Sequence, residues 1–149
     1  MMSELQERLQ ADLATARKAR DKAGTLLLGT VLADIKNRRI ELGHELSDEE
    51  VREVLRRAVK RRRESVEAYE KAGRQELADN ESAEITRLSA YLPANVSDDE
   101  IRDAARAAVA GGATSIGAMM GVLMPRFKGR AEGATINRIA REELEKQSA

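Results

Sequence analysis

The chain has 149 residues, in which 26 Lys and Arg are balanced by 26 Asp and Glu, with one His and no Cys. The missing thiols exclude disulfides, iron–sulfur clusters, thiolate zinc sites and cysteine nucleophiles, and a lone His44 leaves no multi-histidine metal centre. With 42% hydrophobic and 35% charged residues, the composition suits one folded domain or two small ones rather than a disordered tail.

Leu5, Leu9, Leu13 and Ala16 recur at helical spacing behind Ser3, and Gln6 stands three residues after that serine. This pattern predicts a helix from about Ser3 to Ala19, opened by a capping box. The start, MMSELQERLQ, carries acids where a signal peptide has a basic end and an apolar run. The longest mostly apolar stretch, Thr25 to Ala33, falls well short of the roughly 20 residues of a membrane span. A soluble, cytoplasmic chain is expected, with no membrane partner.

Leu28, Val31, Leu32, Ile35 and Leu42 line one side of a second helix, while Leu26, Leu27 and Ile40 add apolar surface elsewhere around it. Gly43 and His44 suit its end. Ser47-Asp48-Glu49-Glu50 then supplies an N-cap and acidic first-turn residues for a third helix, which carries Val51, Val54, Leu55, Ala58, Val59, Val66 and Tyr69 and stops at Gly73. A fourth is predicted from about Arg74 to Tyr91, facing its neighbours with Leu77, Ile85, Leu88 and Leu92.

Pro93 disfavours a helical Leu92, so the chain breaks there. The expected organisation is therefore an N-terminal subdomain of about four helices, residues 1–93, and a C-terminal one, residues 97–149. Ser97 with Glu100 repeats the capping box before Ile101, Ala104, Ala105, Ala108 and Val109, and Gly111-Gly112 ends that helix. Ile116, Met119, Met120, Leu123 and Met124 form a further stripe closed by Pro125, and Ile136, Ile139, Ala140 and Leu144 form the last. No run of β-branched and aromatic residues alternates with polar ones, so the fold class is all-α, ending in a three-helix bundle.

Helical periodicity places some charges where apolar side chains belong. With Val51 at zero and 100° per residue, Arg62 falls near about 20°, in the middle of the buried stripe; with Leu77 at zero, Glu81 and Glu84 fall near about 40° and 340°. Isolated buried charges are too costly to stand alone, so Arg62 is expected to pair with Glu84 or Glu81 across antiparallel neighbours as a structural ion pair. A di-metal carboxylate site would need Glu-x-x-His ligands, which are missing; no metal, cofactor, small-molecule substrate or catalytic residue is expected.

Two basic stretches are candidate partners for anions. RRAVKRRR packs six cations into eight residues, and Arg56, Arg57, Lys60 and Arg63 form a secondary basic patch. Its acids at i, i+4 spacing (Glu53–Arg57, Lys60–Glu64, Arg63–Glu67) are expected to offset it as a solvated face. Residues 115–141 are less balanced, with five cations against one acid, a net of +4. There PRFKGRAEGATINRI places Gly129 and Gly133 among cations just before a helix start, where exposed N–H groups attract phosphate, although the spacing is not that of a P-loop. With Phe127, Tyr69 and Tyr91 the only aromatics, base-stacking platforms are disfavoured, while contact with a folded RNA through shape and backbone stays open. The methionines at 119, 120 and 124 fit core packing or a groove for a partner helix.

IKNRRIELGHELSDEE, KRRRESVEAYEKAGRQEL, AEITRLSAYLP and MGVLMPRFKGRAEGATIN together resemble the YqeY family. The C-terminal portion of that family is shared with the tail of the B subunit of the glutamyl/aspartyl-tRNA amidotransferase. The resemblance implies two helical subdomains, and it implies that the tail-like part approaches tRNA while amide-transfer chemistry belongs to a separate cradle. Carried onto this chain, the expected RNA contacts are Arg126, Lys128, Arg130, Asn137 and Arg138. A tRNA or a tRNA-modifying or aminoacylating enzyme is the expected partner, and a protein-interaction adaptor is the alternative. Glutamine-dependent carbon–nitrogen ligase activity ranks last, because no nucleophile with an oriented base is readable.

Overall fold

Serine hydroxyls open four of the helices. The computed structural model describes residues 1–148, and every regular element among them is helical. In chain order these are α1 (Glu4–Lys18), α2 (Lys22–Leu42), α3 (Asp48–Lys71), α4 (Gln75–Ser89), α5 (Asp98–Ala110), α6 (Ile116–Phe127) and α7 (Gly133–Ser148). Ser3, Ser47, Ser97 and Ser115 accept from the N–H groups of Gln6, Glu50, Glu100 and Ala118, each satisfying one donor that the helix leaves unpaired. The reciprocal half of a capping box forms only at Ser47, whose N–H donates to Glu50 Oε1 at 3.0 Å. Gln6 is instead folded into the interior at 7% exposure, and Glu100 stays in solvent, so the two other expected boxes are half made.

The chain falls into two compact units, Met1–Leu92 with α1 to α4 and residue 93 onward with α5 to α7. In the first, α3 packs along α4 and also meets α1 and α2, around a core that includes Leu9, Val31, Ile35, Val51, Leu55 and Leu88. Leu46, at 1% exposure, joins this core from the loop before α3, a position periodicity does not reach. Gly43 (φ 75°) and Gly73 (φ 71°) turn the chain in the left-handed region that a Cβ disfavours. Asp21 caps α2 by accepting from Gly24 N–H at 3.0 Å and also receives Arg87 of α4 at 2.8 Å.

The Tyr91 hydroxyl donates to Asp12 of α1, and the Arg8 guanidinium lies 4.6 Å from the centre of the Tyr91 ring. Burial, followed by the acceptor carboxylate of Asp12, pushes the phenol up to about 12. A raised value means that the folded state favours the neutral phenol. This contribution is whole below the ordinary value near 10 and is lost as pH rises through about 12. Spectrophotometric titration of tyrosinate should therefore show one group ionising near pH 12, and Asp12→Asn should lower that step.

The second unit closes around Ile101, Ala105, Met119, Leu123, Phe127, Ile136, Ile139 and Ala140, each of its three helices packing against both others. Pro125 does not end α6 as the sequence pattern suggests; the helix runs two residues further, to Phe127. Proline so near the end removes only one of the last hydrogen bonds, and burial of Phe127 to 3% exposure holds the final turn on the core. Among the described residues no helix is long and apolar enough to cross a membrane.

Candidate nucleic-acid interface

The turn between α6 and α7 is built from the core outward. Phe127 is buried, and its carbonyl accepts the N–H groups of Arg130 at 2.9 Å and Ala131 at 3.2 Å. Gly129 between them sits at φ 78°, a conformation in which a larger residue would be strained. The Arg130 carbonyl in turn accepts from Val96 N–H at 3.0 Å, and Val96 is itself 9% exposed, which ties the segment before α5 to this turn. Arg126, Lys128 and Arg130 are thus carried on a backbone fixed at both ends, and all three side chains are exposed. α7 begins at Gly133, so the positive end of its dipole stands at the same turn.

The sequence-selected residues separate into two kinds. Among the described residues, Arg126, Lys128, Arg130 and Arg141 make no ion pair with a carboxylate; Arg126 lies 5.5 Å from the centre of the Phe127 ring, and Arg141 donates to Asn137 Oδ1 at 2.8 Å. Arg138 is already engaged, by Asp98 at 3.1 Å and Glu142 at 3.0 Å. Its side chain is 51% exposed between these two carboxylates, and the half-buried Asn137 accepts from Arg141.

The secondary patch on α3 is partly neutralised, in part by carboxylates other than those at i, i+4. Arg56 reaches Glu49 at 2.7 Å, two turns away, and Arg61 reaches Asp34 of α2 at 2.9 Å. Glu53–Arg57 and Lys60–Glu64 are not within ion-pair distance among the described residues, since an exposed pair gains too little to hold two long side chains in one geometry. Arg57 and Lys60 remain exposed. Arg62 donates through Nε to Glu84 Oε2 at 2.6 Å and through Nη1 to the Ala58 carbonyl at 2.9 Å, with its side chain only 13% exposed. Glu81 is half-buried and outside that pair.

One buried charge was missed. Glu143 of α7 is 1% exposed, and Arg102 at 3.1 Å, Arg106 at 3.3 Å and Lys146 at 3.2 Å surround it. Arg102 also binds Glu142, so a continuous chain of charges runs from Asp98 through Arg138, Glu142 and Arg102 to Glu143 and joins α5 to α7. The signal was available: with Ile136 at zero, Glu143 falls near about 340°, inside the stripe of Ile139, Ala140 and Leu144. The methionines divide as well, Met119 being buried and Met124 38% exposed, beside Val122 at 52%.

A family model described as "Yqey-like protein" matches residues 6–144. The chain is also 29% identical over 130 residues to "Altered inheritance of mitochondria protein 41, mitochondrial" of Pyrenophora tritici-repentis, an alignment covering 83% of this chain and 71% of that protein.

Proposed function

From a chain that belongs to the YqeY-like family, we propose a small, non-catalytic accessory module that contacts phosphates of a folded RNA of the tRNA class through the turn between α6 and α7. The observation that carries this reading is the set of exposed cations, Arg126 in the last turn of α6 with Lys128 and Arg130 on the turn that follows, none of which has a carboxylate within ion-pair distance among the described residues. Unneutralised side chains on a fixed backbone bind a polyanion without first breaking an internal ion pair or ordering a loop. The N-terminal end of α7 adds the partial positive charge of its dipole. Arg138 ties α7 to Asp98 of α5, and Asn137 accepts from Arg141. The fungal relative's name speaks of mitochondrial inheritance and names no reaction, which is compatible with an accessory role.

Affinity for tRNA should fall steeply with salt, since each phosphate contact releases counterions. Lys128→Glu combined with Arg130→Glu should abolish binding measured by filter retention or fluorescence anisotropy at low salt. In a charge-neutral double variant, Lys128→Gln with Arg130→Gln, the log–log salt slope should become shallower by about 2. Binding by the Glu double variant equal to that of the unaltered chain would remove this site.

A second reading, a protein-interaction adaptor, draws on Val122 and Met124, which leave α6 with apolar side chains in solvent. Co-purification of a protein that survives nuclease and high salt would favour it.

A further inference from the structure

α2 carries its largest exposed apolar side chains on the line directly opposite its buried face. Leu26 is 72% exposed and Ile40 65%. At 100° per residue both lie within about 20° of Ala33, which is also exposed, while the buried Val31 and Ile35 lie about 160° away to either side. A surface helix ordinarily presents polar side chains along that line. Leu26 and Ile40 moreover stand at equal distances on either side of Ala33, so this face maps onto itself when the helix is reversed about its midpoint. Such self-complementarity is what an isologous two-fold contact requires.

We propose that α2 pairs antiparallel with α2 of a second copy of this chain, with Ala33 on the two-fold axis. Leu26 then packs on Ile40 of the second copy at both ends of the contact. Nearer the axis, Gly29 and Thr30 lie opposite Asn37 and Lys36 of the second copy, so each longer side chain meets a shorter one. Charge selects this direction. Lys22 then stands at the C-terminal end of the second copy's α2, the end whose dipole favours a cation. A parallel pair would set Lys22 against Lys22 and Lys36 against Lys36. One helix pair buries less than the roughly 800 Å² per partner of a standard stable interface, so the dimer dissociates on dilution.

Because the chain has no cysteine, introduced ones report without interference. In the full chain, Ala33→Cys should oxidise rapidly to a covalent dimer, well ahead of Ala83→Cys, an exposed position on α4 that reports random collision. Leu26→Cys alone should not cross-link, since its two copies stand about 21 Å apart along an antiparallel pair. A mixture of Leu26→Cys chains with Ile40→Cys chains should. Sedimentation equilibrium of the cysteine-free chain should show a concentration-dependent dimer that Ala33→Glu converts to monomer with unchanged circular dichroism, since glutamate is a good helix former at an exposed site. The pairing is overturned if the unaltered chain is monomeric at every concentration, if Ala33→Cys cross-links no faster than Ala83→Cys, or if Leu26→Cys cross-links as fast as Ala33→Cys.

Discussion

Glu143→Ala is expected to destabilise the second unit by about 3 kcal/mol, near the lower end for removing one member of a buried ion pair. The carboxylate is 1% exposed, but its partners Arg102, Arg106 and Lys146 are 22%, 53% and 56% exposed, so the cations left behind recover part of their hydration. Glu143→Gln separates charge from packing, because it keeps the volume and loses the ion pairs. Burial pushes the Glu143 carboxyl up, but Lys146, Arg102 and Arg106 outweigh it and hold the group below its ordinary value of 4.5. A depressed value contributes stability that is whole above the ordinary one and is lost as pH falls through the folded one. Urea unfolding at neutral pH should therefore separate Glu143→Gln clearly from the unaltered chain, and the gap should narrow below about pH 4.5. Equal midpoints at neutral pH would mean that the charge chain between α5 and α7 contributes nothing.

In the first unit the largest single loss is expected from Leu88→Ala. α4 buries only Ala78 and Leu88, at 1% and 0% exposure, and its other attachments include the half-buried Ile85 and the Arg62–Glu84 and Asp21–Arg87 contacts. Truncating a fully buried leucine removes transfer energy and leaves a cavity, for about 3 kcal/mol. With so narrow an apolar face, α4 should loosen before the rest. Hydrogen exchange should show its amides losing protection while those of α3 around Leu55 keep theirs; a uniform loss across α1 to α4 would show that α4 is bound as firmly as its neighbours.

Helix type and most boundaries were readable along the chain because their causes are local. The serine caps at Ser3, Ser47 and Ser97 and the left-handed glycines at Gly43 and Gly73 act on atoms within four residues, and the stripes of Leu5, Leu9 and Leu13 or Ile136, Ile139 and Ala140 follow from a 3.6-residue turn. Arg62 stood out by the same arithmetic, and Glu143 would have. The continuation of α6 past Pro125 was not readable, since it depends on a pocket for Phe127 lined by other helices.

The candidate site was legible as composition and not as balance. A run of cations before a helix start is visible in PRFKGR, whereas which of them keep their charge for a partner is not. Arg138 meets Asp98, forty positions earlier, Arg61 meets Asp34 across two helices, and Lys128 and Arg130 meet no carboxylate among the described residues. Coulomb energy depends on separation in space and on the surrounding dielectric, neither of which is a function of position along the chain. The residue string therefore settles where helices form and which faces are apolar; folding alone assigns each charge its partner and leaves the turn after Phe127 with charges unspent.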